Sequence, residues 1–122
     1  MLPEAHSRCY QEFKHLLQQL QVVVALETLD RMLLRSEVSQ MQQFFQSRIV
    51  PLDVEDLDAD LSSQVQSYRT EMHKQLRLLG MDVMFLQAAK HSTTTQQRQT
   101  QLDERICILI RYCEAILLKS QA

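Results

Sequence analysis

Leu61, Val65, Tyr68, Met72, Leu76, Leu79, Val83 and Leu86 recur at intervals of four and three residues. That spacing marks one face of an α-helix and is sustained here for about seven turns. A stripe this long has to be covered by neighbours running alongside it, which confines the chain to a helical architecture. The turn-forming residues agree, since one Gly and two Pro among 122 residues leave few places for turns. Gln, Leu, Glu and Arg, all good helix formers, are abundant, so the class is all-α.

Three further stripes complete the pattern. Near the start, Cys9, Phe13, Leu16, Leu20 and Val23 follow Pro3 and Glu4, two residues suited to a first turn. The phase then runs onto Glu27, Asp30 and Glu37, and a second stripe begins at Leu34, Val38, Met41, Phe45 and Ile49. Thr28 is the expected N-cap of this second helix. One helix through the junction is the alternative, because neither Gly nor Pro enforces a break. Pro51 closes the segment, and the acidic stretch around Asp53, Glu55, Asp56, Asp58 and Asp60 leads into the long third stripe. After KHSTTT, with Thr94 and Gln97 spaced as a capping box, Leu102, Ile106, Leu109, Cys113 and Ile116 form the fourth.

The expectation is a single helical domain over residues 1–122, with helices at about 4–26, 29–50, 57–90 and 95–120. Short links favour an antiparallel four-helix bundle with up-down-up-down topology. The third helix, roughly 50 Å long, should overhang its neighbours.

A net charge of −2 and a pI near 6.1 argue against a nucleic-acid binder. MLPEAHSR has neither the charged start nor the apolar core of a signal peptide, and the longest apolar runs are far too short for membrane insertion. Cys107 and Cys113 are six apart, which directs them about 240° from each other on a helix. They cannot bridge locally, and a reduced, cytoplasmic protein is expected.

The only glycine, Gly80, divides the third helix. Before it, the face opposite the core stripe is polar: Ser63, Gln66, Ser67, Thr70, His73, Lys74 and Arg77. Beyond it the same face reads Met81, Met84, Phe85 and Ala88. A helix apolar all round is covered all round. The cover is the rest of the chain, a second copy or another protein. Gly80 fits a close approach by another backbone, and flexible methionines suit a binding surface. Arg77, Met81, Met84, Phe85 and Ala88 are therefore the expected partner-binding residues.

Asp82 stands alone in this apolar run and needs a partner. Folding helix four back through HSTT sets Asp82 beside Arg105, and Glu71 is expected near Arg111. Both are expected as structural ion pairs.

Chemistry finds little support. Glu12 and His15 give one Glu-x-x-His spacing, where a di-iron bundle needs two plus further carboxylates. His6 and Cys9 share a face without obvious third and fourth ligands. Read as a calcium loop from Asp56, the acidic stretch places Leu61 where Gly belongs and Ser67 where Glu belongs. There is no phosphate loop, G-x-S-x-G or H-E-x-x-H. No enzyme activity, metal or cofactor is expected.

VQSYRTEMHKQLRLLGMDVMFLQAA, IRYCEAILL and the earlier MQQFFQSRIVPL resemble the PatD family of cyanobacterial heterocyst frequency control proteins. These segments cover about half the chain. The resemblance implies a small cytoplasmic regulator acting through protein contact, whose partner is the tubulin-like division protein FtsZ, linking cell division to heterocyst differentiation. It brings no motif of binding residues. The alternatives are a homodimeric helical scaffold built on the same patch and, further off, a metal enzyme using Glu12 and His15.

Overall fold

The computed structural model describes residues 2–26 and 28–119, which form an antiparallel four-helix bundle. Helix α1 spans Glu4–Val24, α2 Arg31–Phe44, α3 Ala59–Ala88 and α4 Ser92–Leu118. A π-helical turn, Phe45–Ile49, continues α2, and a 3₁₀ turn, Val54–Asp56, precedes α3. Each helix packs against two neighbours, and the seams made by α4 are more extensive than those made by α2. The expected end of the fourth helix at residue 120 lies outside the described residues.

The helix starts show which side chains reach exposed backbone N–H groups. Asp30, not Thr28, caps α2, its Oδ1 accepting from Leu33 N at 3.0 Å. Asp30 sits three residues before that donor, the N-cap to N3 geometry that a carboxylate satisfies well. Two of the acids between Pro51 and α3 have the same task. Asp53 Oδ1 accepts from Glu55 N at 2.9 Å, and Asp58 Oδ1 from Leu61 N at 2.8 Å as the N-cap of α3. The capping box at Thr94 and Gln97 does not form, because α4 already begins at Ser92. Thr95 instead turns its hydroxyl back to His91 O at 3.1 Å.

The C-terminus of α3 has no basic residue in its last turn. Arg31, the first residue of α2, supplies the charge from outside. Its Nη1 donates to Leu86 O and, at 3.2 Å, to Ala89 O, while Nη2 reaches Thr95 Oγ1 at 3.4 Å. A cation over the last carbonyls satisfies both the unpaired acceptors and the helix dipole. In return Gln87 Nε2 donates to Arg31 O at 2.9 Å. These contacts, with Gln42 to Leu76 O and Phe45 beside His73, run α2 antiparallel to α3.

All five expected apolar positions of the second helix are buried, as are all five of the fourth. In α2 the last of these recur at fours, which drifts about 40° per step on an α-helix. The wider π turn, closed by Val50 N to Phe45 O at 2.9 Å, takes up that drift and keeps Phe45 and Ile49 in the core. In α1 Cys9, Phe13 and Leu20 are buried as expected, but Leu17 and Val24 are buried in place of Leu16 and Val23, which are only half-buried. That helix faces both α2 and α4, so its buried strip is wider than one stripe and its centre is rotated from the expected line. Phe13 stacks on Phe44 at 5.9 Å and meets Phe45 at the same distance.

Two polar groups are enclosed at the N-terminal end of α1. Tyr10, fully buried, accepts Arg69 Nε at 2.9 Å. His6 is 5% exposed, and its Nδ1 has no hydrogen-bond partner among the described residues.

Candidate functional site: an apolar groove between α2 and α3

Past Gly80, one side of α3 stays in the core through Leu79, Val83 and Leu86. Asp82 is buried with them, 3% exposed, and its charge is answered from α4. Arg105 donates its Nε–H to Asp82 Oδ2, and Arg98 Nη1 lies 3.9 Å from Oδ1. Two guanidinium groups thus meet a carboxylate that would otherwise be stranded among apolar side chains. Glu71 and Arg111, the second expected pair, do not meet among the described residues, and both are exposed. At their level Tyr68 and Tyr112 fill the α3–α4 seam, with ring centroids 5.6 Å apart. Arg111 precedes Tyr112 by one residue and is turned about 100° off the seam. Two solvated charges gain little by closing such a gap.

The other side of α3 is not covered by its own chain. Met84 is 72% exposed, Phe85 49% and Met81 44%, and Arg77 and Ala88 are exposed as well. These five residues do not form one patch. Arg77, Met81 and Met84 line a groove of about 660 Å³ between α2 and α3. Phe85 instead turns toward α4, where the Arg98 guanidinium sits 4.6 Å above its ring, a cation–π contact. Ala88 lies beyond the groove, in the last turn of α3.

The facing wall belongs to α2, and periodicity in α3 gave no indication of it. Arg35, Val38, Ser39 and Gln42 line it from that side. Gly80 lies between the walls, where its missing side chain makes room for a side chain rather than for a second backbone. A Cβ on Gly80 would stand 2.6 Å from Gln42 Nε2. That amide donates to Leu76 O at 3.2 Å, so it crosses the seam over the glycine. Beyond it the seam opens again into a smaller cavity of about 210 Å³ lined by Phe45, His73 and Arg77. Met32, 84% exposed, lies one turn N-terminal of Arg35 on the same side of α2 and lengthens the apolar surface.

The charge in the groove has one sign. Arg35 and Arg77 are its ionisable lining residues, both exposed and neither in an ion pair among the described residues. No acid among the described residues lines the groove, and five of the chain's acids fall between Asp53 and Asp60.

Positions tested for chemistry are engaged otherwise. Glu12 pairs with Arg48 at 3.4 Å, and His15 shares a hydrogen bond with Gln19 at 3.2 Å. Among the described residues no group of three or more His, Cys, Asp and Glu is placed to hold a metal ion. A second groove, about 640 Å³ between α1 and α4, is bridged by Lys14 and Glu114 at 3.7 Å. Cys9, Cys107 and Cys113 are free thiols; Cys107 is half-buried and takes a hydrogen bond from Gln21 Nε2 at 3.3 Å. Burial pushes the Cys113 thiol up to about 12. No described helix is long and apolar enough to cross a membrane. No protein-family model, curated protein or solved structure matches this chain.

Proposed function

We propose that this chain is a non-enzymatic cytoplasmic regulator or adaptor that acts by protein contact at the α2–α3 groove. The observation that supports it is Met84, 72% exposed in a helix whose opposite face is fully in the core. A bundle of this size has enough interior to bury such a residue, and an exposed methionine pair beside a groove suits a surface that adapts to a partner. The resemblance to the PatD family names that partner as FtsZ, and the role as tuning cell division together with heterocyst differentiation.

Purified FtsZ titrated with the labelled chain tests the partner. Saturable binding at micromolar concentrations, lost in Met84→Asp while the far-ultraviolet circular dichroism stays unchanged, is the expected result. Absence of binding overturns the named partner. Binding that survives Met84→Asp in a folded protein overturns the groove as its site.

A further inference from the structure

The groove has a charge as well as an apolar lining, and the charge narrows what fits it. We infer that its occupant is an acidic amphipathic helix of another protein. Its apolar face would lie on Met81 and Met84, and its carboxylates would engage Arg35 and Arg77. This rests on the reading of the chain as a protein-binding regulator and adds the chemistry of the partner.

Dimensions come from the α3 wall. Arg77 to Gln87 rises about 15 Å, which is the length of roughly ten helical residues. Because α2 runs antiparallel, with Arg31 beside Leu86 and Gln42 beside Leu76, Arg35 stands near the level of Met84. It is therefore about 10 Å along the groove from Arg77, close to seven residues of a docked helix. Acids at i and i+6, about 120° apart on the two flanks, would reach the guanidinium groups of the two walls, and apolar residues at i+3, i+7 and i+10 on the face between them would fill the floor. Neither arginine has an ion-pair partner to give up among the described residues. Each offers a planar fork suited to a carboxylate.

A second copy of this chain fits less well. A two-fold interface sets the same patch against itself, so Arg35 and Arg77 of each copy would face those of the other, a like-charge contact. Head-to-tail docking of the acidic stretch is opposed by its own commitments. Asp53 and Asp58 cap their own helices, and of the two apolar residues between them Leu57 is buried and Val54 is half-buried against the core.

The test uses the full chain and two labelled synthetic helices of equal length and apolar content. One carries glutamates at i and i+6; the other has lysines there. Fluorescence anisotropy should show the glutamate helix binding about tenfold more tightly, from two rim pairs, with the margin shrinking as salt is raised. The exposed double variant Arg35→Glu/Arg77→Glu should invert the preference, and Met84→Asp should weaken both helices. Equal affinity for the two helices, or an unchanged preference in the double variant, refutes the acidic partner. So does light scattering that shows a dimer abolished by Met84→Asp. FtsZ binding that needs Met84 yet ignores the arginine reversal also refutes it while leaving the proposed function intact. Binding of the glutamate helix by a chain that does not bind FtsZ upholds it and removes only the named partner.

Discussion

Replacing Gly80 with alanine tests the account of the seam between α2 and α3. In an unobstructed helix interior the change stabilises by about 0.8–1.0 kcal/mol, because alanine loses less backbone entropy on folding. Gly80 has no positive φ, so alanine meets no backbone strain there. The obstacle is Gln42 Nε2, 2.6 Å from the new Cβ. It is the end of a flexible side chain and can swing away, at the loss of its bond to Leu76 O. That carbonyl keeps its bond from within α3, so no buried acceptor is orphaned and the loss is about 0.5 kcal/mol, the low end for a hydrogen bond. Gly80→Ala should therefore stabilise by no more than about 0.5 kcal/mol. In a Gln42→Ala background the obstacle is gone and the same change should stabilise by about 1 kcal/mol, roughly 4 °C in Tm. Urea unfolding of the four proteins, followed by circular dichroism, gives both values and their difference. A loss above about 2 kcal/mol in both backgrounds would mean that something rigid, not the Gln42 amide, lies against the glycine. A full 1 kcal/mol gain in both would mean that Gln42 does not restrict the position at all.

Three other expectations follow from buried groups. Arg105→Met leaves Asp82 with only the more distant Arg98 and should destabilise by about 3 kcal/mol, whereas Asp82→Leu/Arg105→Met should recover most of that loss in the same urea assay. Equal stability of the two variants would mean that the carboxylate does not depend on its partner. Burial, then Arg69, holds the His6 imidazole below its ordinary value of 6.5, against an opposing pull from Asp56 and Asp53. The unfolded chain therefore takes up the proton first, so stability should be level above pH 6.5 and decline as pH falls below it. His6→Leu should flatten that decline, and a slope unchanged by the variant would assign it to other groups. With Cys113 pushed up to about 12 and fully buried, maleimide at neutral pH should modify half-buried Cys107 first and Cys113 only on unfolding, as mass spectrometry of peptides would show. Early modification of Cys113 would contradict its enclosure.

Helix content, the core positions of α2 and α4 and most of those of α3 were legible in the sequence, because each depends on residues one turn apart on the same rod. The Asp82–Arg105 pair was legible for a related reason: a short link and a fixed rise per residue set the register of two antiparallel helices. Glu71 and Arg111 lie about five residues off the Asp82–Arg105 register and, both being exposed, have no desolvation to drive them together. The cap of α2 was less legible, since Thr28 and Asp30 both suit the role and only the path of the linker decides which one reaches Leu33 N. The site divides in the same way. That α3 becomes apolar on its outer face after Gly80 is written along one helix. Which side of it α2 covers, that Phe85 leans toward Arg98, that Gln42 occupies the space over the glycine, and that Arg35 joins Arg77 across a groove all depend on side chains far apart in the chain. A single helix records its own periodicity and cannot record the rotation and spacing of a neighbour, which are set by how both surfaces interlock.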